Sequence, residues 1–575
     1  PIMSHIRWIY RPQPDTQKAK ALAEALHVSE ALAYLLVQRG IADFEAARDF
    51  FRPSLEKLHD PFLMKDMDKA VERLQEAIEN EEKIMIYGDY DVDGTTSVAM
   101  MYLFLKKRYS KVATYIPDRY KEGYGISKTG IEYAAANGFT LMIALDCGVK
   151  SVELVAYAQK LGVDFIICDH HLPGAELPQA VAVLDPKRQD CPYPYKELSG
   201  CGVGFKLLQA YCTQNEISQE EVYLYLDLLC VSIACDIVPI TGENRLMAYY
   251  GLEKLNKLPL LGLQQLLKIA GFNDDKELTI TNVAFGLGPR INAAGRIEHA
   301  DSAVQLLTLQ EAAEAERFAK MVNEYNKDRR DLDQHITQEA LEMIRLHQKE
   351  DAKSTVLFKP DWHKGVIGIV ASRCIESYHR PTIILTESEK KATGSARSVP
   401  DFDIYEAIEA CADLLEQFGG HKHAAGLTLK VENVAAFQER FEQIVQAKIR
   451  PEQLSPQLEI DMLIRLKEAN HKFYRILSQM APFGPDNPQP LLVSENVYCV
   501  SPPRLLGKDN PVHLKLQIRQ EDSAAYDAIG FSMPQFYEPL SRPGQRFDIC
   551  YHLEENHFLG KTTLQLRLRD IKVRN

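Results

Sequence analysis

Lys83-Ile84-Met85-Ile86-Tyr87-Gly88-Asp89-Tyr90-Asp91-Val92-Asp93-Gly94 is an apolar run that hands over to three alternating carboxylates. Ile84, Met85 and Ile86 predict a buried strand, Gly94 the end of a loop, and Val98, Met101, Leu103 and Phe104 a helix running on from Thr95. The acids then sit where a strand gives way to a helix, the edge of an open α/β sheet at which ligands bind. Crowded carboxylates repel one another, and a divalent cation with hard oxygen ligands relieves the repulsion. Taken alone, the stretch reads equally well as a solvated Asp-Gly turn, so the choice rests on partners elsewhere.

Three further apolar runs end in metal-type ligands. Leu141–Leu145 ends in Asp146, Asp164–Cys168 in Asp169, His170 and His171, and Leu228–Cys235 in Asp236. Helical patterns at 127–136, 150–161 and 204–212 lie between them, which is the βαβ rhythm of a parallel sheet. Parallel strands share one C-terminal edge, so the four runs are expected to bring their acids and imidazoles together. Asp146 alone also reads as a helix cap before Gly148, and Asp236 alone carries little. Carboxylates mixed with imidazole suit Mn²⁺ as well as Mg²⁺, and shared acids suit a pair of ions ~3.5–4 Å apart.

The Asp89–Gly94 stretch together with Asp169-His170-His171 resembles the signature of the DHH phosphoesterase superfamily. Within it, Gly288–Arg296, Trp362–Gly368, Gly394–Arg397 and Gly419–Gly426 resemble, in order and spacing, the RecJ family of bacterial single-stranded-DNA exonucleases. The resemblance runs from about residue 70 to the C-terminus. It implies a 5′-to-3′ exonuclease that releases 5′ mononucleotides with two Mn²⁺ or Mg²⁺ ions. It implies single-stranded DNA as substrate, work in recombination and repair, and single-strand-binding protein and a RecQ-type helicase as partners. It also implies that Asp89, Asp91, Asp93, Asp146, His170 and Asp236 hold the ions, with Asp89 either ligating or orienting. His171 would contact the scissile phosphate and Asp169 would orient the histidines.

Composition fits a large protein of ordinary globular make-up. A chain of 575 residues, 46% hydrophobic and 26% charged, exceeds one core and predicts three or four domains. No apolar run approaches the ~20 residues that span a bilayer, and Pro1–Tyr10 lacks the pattern of a secretory signal. Eleven cysteines form no CxxC pair. A cytoplasmic monomer is the expectation. The net charge of -13 runs against a simple nucleic-acid binder, although residues 359–400 carry seven Lys or Arg against four Asp or Glu.

Five segments are expected. Residues 1–75 are helical and amphipathic, read as an extension packed on the sheet, and 76–301 form the α/β catalytic domain. Residues 302–350 lack Pro and Gly and repeat apolar positions at helical spacing, predicting one or two long helices. Residues 351–450 form a second α/β lobe with strands at 354–358, 382–385 and 425–430. Residues 455–575 form an all-β module with strand-like runs at 490–500, 512–519, 525–531, 547–552 and 562–570. A five-stranded barrel is the candidate, which the resemblance names an OB-fold, a common holder of single strands.

Anion-binding candidates follow. The glycine-rich run containing Gly420 and His421 lets backbone N–H groups approach a phosphate, or simply makes a tight turn beside a packed helix. Arg290 and Arg296 flank Asn292 in a predicted loop, and arginine forks bind phosphates. By resemblance these three contact the DNA backbone, His421 touches substrate, and Ser395, Arg397 and Arg119 receive a 5′-terminal phosphate. Rival readings are an oligoribonuclease, cyclic-dinucleotide phosphodiesterase or pyrophosphatase of the same superfamily, and a non-enzymatic replication scaffold. The intact acids oppose the last, and the extra β module opposes the small-substrate enzymes. Metal preference and activity on RNA are not legible in ligand types.

Overall fold

The computed structural model describes residues 6–272, 277–347, 352–507, 511–558 and 561–574. The expected boundary at 350/351 and the first five residues lie outside them. The chain divides into two compact units. One holds His59–Val238 and Tyr250–Pro456, and the other holds 6–58, Pro239–Tyr249 and 457–574.

The first unit is built on a parallel sheet of β1 (Lys83–Gly88), β2 (Val112–Tyr115), β3 (Phe139–Leu145), β4 (Asp164–Cys168) and β5 (Ala182–Leu184), in the order β2-β1-β3-β4-β5. Ile84, Met85 and Ile86 are fully buried because helices cover both faces, as parallel sheets require. The strand ends stand in one row, Gly88 beside Leu145, Leu145 beside Cys168, and Cys168 beside Leu184. The residue after each is an aspartate: Asp89, Asp146, Asp169 and Asp185.

Two elements differ from the sequence reading. The run ending in Asp236 is not a strand but a helix, Leu226–Cys235, with Asp236 at its C-terminal cap. Its side chains are buried all round, so the run shows neither helical nor strand period, and its ten residues favour a helix. Gly94 does not end a loop. It lies in the first turn of α1 (Val92–Lys106), which Asp91 caps by accepting the Gly94 N–H at 3.0 Å.

Beyond α2 (Gly200–Gln214), α3 (Leu226–Cys235) and α4 (Gly288–Ile297), the long helix α5 (Ala312–His347) leads to the second lobe. That lobe carries β6 (Thr355–Phe358), α6 (Ile367–Tyr378), β7 (Thr382–Ser388), β8 (Lys391–Arg397), β9 (Gln417–His421) and β10 (Ala424–Lys430). Its sheet order is β9-β10-β8-β7-β6, parallel only at β6–β7. Strands β8 and β9 were not legible in the sequence, because small residues (Gly394, Gly419, Gly420) replace the usual β-branched ones.

In the second unit, β11 (Leu492–Cys499), β12 (His513–Arg519), β13 (Tyr526–Gly530), β14 (Phe547–Phe558) and β15 (Lys561–Val573) close a ring in the order β11-β14-β15-β13-β12-β11. This is the expected five-stranded OB-type barrel. Residues 6–58 belong here and not on the parallel sheet. Leu22, Leu32, Leu36 and Ala47 share one core with Leu492, Phe547 and Ile571, and Arg7–Tyr10 pairs in parallel with Gln457–Ile460. Their apolar stripes specified burial but not the surface that buries them. No helix among the described residues is long and apolar enough to cross a membrane.

Candidate active site

The acids at the sheet edge are held by backbone rather than by cations. Asp93 accepts N–H groups from Gly200 (2.6 Å) and Cys201 (2.8 Å) at the start of α2, and the Ser232 hydroxyl (2.7 Å). The positive end of a helix favours a carboxylate there. Asp146 follows β3 at φ 60, a left-handed conformation that Asp and Asn tolerate better than most residues. Gly200 lies so close that a Cβ there would sit 2.6 Å from the Asp146 Cβ. Gly94 is equally constrained, since a Cβ would stand 2.2 Å from the Asp89 carbonyl oxygen. Asp169 accepts from the His170 N–H (2.8 Å), the His171 N–H (3.2 Å), the Val149 N–H (2.9 Å) and His171 Nδ1 (2.7 Å). It therefore orients the His171 imidazole directly, and holds His170 only through its backbone.

These groups converge with Asp236. His170 Nε2 lies 3.2 Å from Asp146, 3.5 Å from Asp236 and 3.7 Å from Asp93. Among the described residues three sets have ligand atoms within 4.8 Å of one another: Asp89, Asp91 and Asp146; Asp93, His170 and Asp236; and Asp146, His170 and His171, which shares a member with each of the other two. Asp89, Asp93 and Asp146 are 1–2% exposed and His170 7%, so water does little to screen them. Burial first, and then neighbouring carboxylates, push Asp89, Asp91, Asp146 and Asp236 above the usual carboxylate range. Burial lowers His170 toward its neutral form. At His171 burial acts the same way, but the hydrogen bond and charge of Asp169 prevail and raise it. Asp89 Oδ2, Asp146 Oδ1 and both His170 ring nitrogens are buried without a hydrogen-bond partner. Buried polar atoms are normally satisfied, and neutral imidazole with clustered oxygens is a donor set for divalent cations. The residues therefore fit the expected metal pair.

A second cluster lies beside the acids. Arg397 donates to the Ser395 hydroxyl (2.9 Å) and the Ala396 carbonyl (2.8 Å). Gly368, in the first turn of α6, leaves them room, for a Cβ there would meet Arg397 Nη2 at 2.8 Å and Ser395 Oγ at 2.9 Å. Arg296 donates to the Gly365 carbonyl (2.8 Å), and its own carbonyl accepts from Tyr120 (2.6 Å). Arg119 stacks over Tyr90 at 4.7 Å. Burial, then the charges of Arg119, Arg329 and Arg397, push Arg296 down to about 10. Burial and Arg119 lower Arg397. None of the three guanidiniums makes an ion pair among the described residues; their contacts are the Tyr90 ring, the Gly365 and Ala396 carbonyls and the Ser395 hydroxyl. Arginines that repel one another and make no ion pair offer donors that an anion could take.

Arg290, Asn292 and Arg296 are not in a loop but on α4. Asn292 and Arg296 share a face at a four-residue spacing. Arg290 points elsewhere, to the Gly286 carbonyl (2.6 Å) and Asn323 (3.0 Å). The Gly-His-Lys-His run makes no helix start. It is the exposed β9–β10 hairpin, with His421 paired to Ala424 and Ala424 to Arg397, which sets His421 two strands from the arginine pocket. The sequence reading missed Tyr124, whose hydroxyl lies 3.1 Å from His171 Nε2. It also missed the Ser199-Gly200-Cys201 cradle, whose signal was an N-cap serine before a helical pattern.

Residues 83–233 match the DHH family N-terminal domain, 351–447 the DHHA1 domain and 460–570 the RecJ OB domain. The single-stranded-DNA-specific exonuclease RecJ of Bacillus subtilis is 40% identical over 574 residues, covering 100% of this chain and 71% of that one. The chain belongs to the RecJ family. The RecJ of Escherichia coli is 31% identical over 88% of this chain and 90% of its own length. Among solved structures, RecJ of Thermus thermophilus in complex with Mn²⁺ superimposes with a TM-score of 0.84 at 26% identity, covering 99% of this chain and 80% of that one.

Proposed function

We propose that this chain is a metal-dependent exonuclease that hydrolyses single-stranded DNA from the 5′ end to 5′ mononucleotides. The observation that carries the reading is the pairing of the orphaned acid–imidazole cluster with a neighbouring group of arginines that make no ion pair among the described residues. Membership of the RecJ family supports it. Asp89, Asp91, Asp93, Asp146, His170 and Asp236 would hold two Mn²⁺ or Mg²⁺ ions, which when bound supply Lewis acidity toward phosphate and water. Asp169 fixes His171, whose imidazolium offsets charge on the scissile phosphate as the P–O3′ bond breaks. Arg119, Arg397 and Ser395 take the terminal phosphate, which bears up to about two negative charges at neutral pH. Holding that end fixes both polarity and the cut after one nucleotide. Asn292, Arg296, Gly420 and His421 line the approach, Arg290 adds positive charge along α4, and the barrel gives the strand further contacts. Single-strand-binding protein and a RecQ-type helicase are the proposed partners, in recombination and repair, and the cytoplasm the proposed location, in keeping with free cysteines throughout.

The test is cleavage of 5′-labelled and 3′-labelled single strands with Mn²⁺ or Mg²⁺. The 5′ label is expected to emerge at once as mononucleotide while the 3′-labelled strand shortens gradually. Arg397→Ala is expected to erase the advantage of 5′-phosphorylated over 5′-hydroxyl strands, by about 10- to 100-fold in kcat/KM for one charge-assisted contact. Cleavage of dinucleotides alone would overturn the reading.

A further inference from the structure

The row of strand ends contains a member that the chemistry above leaves unused. Strand β5 stands beside β4, with Leu184 next to Cys168, and the Asp169 N–H donates to the Leu184 carbonyl at 3.0 Å. The residues after β5, Asp185-Pro186-Lys187-Arg188, therefore emerge at the same edge as the DHH triplet. This loop is rigid. Asp185 accepts the Lys187 N–H at 2.8 Å. Arg188 is clamped by Asp66 (2.6 Å), the Val183 carbonyl (2.7 Å) and both oxygens of Asp190 (2.9 and 2.8 Å). The Lys187 side chain, 23% exposed, leans on Glu197 at 3.5 Å, a contact long enough for another anion to replace. It bears electrostatically on His170 and on Asp236, whereas Arg119 bears on Asp89. In the strand order β2-β1-β3-β4-β5, Arg119 lies in the loop after β2 and Lys187 in the loop after β5, so the two cations follow the two edge strands of the sheet whose ends carry the acids.

We propose that Lys187 is a substrate-contacting residue, its ammonium binding a backbone phosphate of the DNA strand on the His170–Asp236 side of the centre. This rests on the exonuclease reading, in which Arg119 and Arg397 hold the terminal phosphate on the opposite side. A strand crossing the acids between these cations would have its scissile linkage over the acids and a neighbouring phosphate within reach of Lys187. A lysine is suited to the place because a flexible point charge can follow a phosphate that advances after each cut.

The test compares wild type, Lys187→Met and Lys187→Arg on 5′-phosphorylated oligothymidylate, alone and with one neutral methylphosphonate at the first, second or third linkage. Lys187→Met is expected to lower kcat/KM about 10- to 100-fold, with Mn²⁺ affinity by calorimetry not reduced and partial recovery in Lys187→Arg. Neutralising one particular linkage should abolish the difference between wild type and Lys187→Met. A ratio that stays the same at every linkage, or a loss of Mn²⁺ affinity in Lys187→Met, would overturn the proposal. Strand binding in Ca²⁺, read by fluorescence anisotropy with the same series, decides Lys187 even if wild type cuts nothing. The absence of cutting would sink the exonuclease reading instead.

Discussion

Asp146→Asn should stabilise the metal-free protein while destroying its response to Mn²⁺. Asp146 shares one set with Asp89 and Asp91, ligand atoms within 4.8 Å, and is 2% exposed. Two unit charges at that separation repel by about 3.5 kcal/mol at an effective dielectric of ~20. Two such repulsions, reduced because the cluster shares protons, leave a relief of about 3 kcal/mol when Asp146 is neutralised. Asparagine keeps the shape and tolerates φ 60. A unit of this size shifts by roughly 1–2 °C per kcal/mol, so its melting transition in chelator should rise ~3–6 °C. Mn²⁺ at ~1,000 times Kd stabilises wild type by about 4 kcal/mol, a shift the variant should lack. The pH dependence has the same origin. Carboxyls raised in the fold contribute stability at acid pH that is lost as pH rises through their folded values. Metal-free wild type should therefore melt lower as pH rises, less steeply in Asp146→Asn. Differential scanning fluorimetry in chelator reads both. A variant that melts below wild type at neutral pH would refute the reasoning, because Asp146 would then be a structural acceptor rather than a strained ligand.

Gly200→Ala forces a Cβ against the Asp146 Cβ, Cα and Oδ1, all within 2.8 Å; Mn²⁺ affinity by calorimetry should fall more than ~10-fold, with about 1–3 kcal/mol lost in stability. In the barrel unit, burial pushes His552 down to about 4, so its contribution is complete above about pH 6.5 and is lost as pH falls from there toward about 4. Acid unfolding of wild type should show a loss of about 2–3 kcal/mol across this window, absent in His552→Gln. Asp461→Ala leaves Arg39 buried without its carboxylate (3.4 Å) and the Leu491 N–H without its acceptor (2.8 Å); denaturant unfolding of the second unit should report a loss of about 3–5 kcal/mol.

The catalytic sheet and its ligands were legible because each signal is local. Short apolar runs ending in Asp or His carry strand, edge and ligand within a few residues, and βαβ connectivity leaves those edges nowhere to go but together. Asp236 was singled out and does lie in the acid–imidazole cluster, although its helix was mistaken for a strand, since an all-buried segment has no period to read. Strands β8 and β9 were hidden for another reason: β8 alternates buried and half-exposed positions and β9 is largely exposed, but Ala, Gly and Ser fill many of them and leave no β-type signature.

By itself the sequence determined the parallel sheet, the order of its ligands, the long helix, the barrel strands and the family. Only the tertiary structure decided that residues 6–58 join the barrel core, that Gly200 and Ser232 cradle Asp93, that Ser395 and Arg397 meet beside Gly368, and that Lys187 emerges beside the DHH triplet. The physical reason is range. Strand, cap and ligand patterns are written within a few residues, whereas an apolar stripe or a lone cation records only that it needs a partner. Which partner it finds is set by packing between segments hundreds of residues apart.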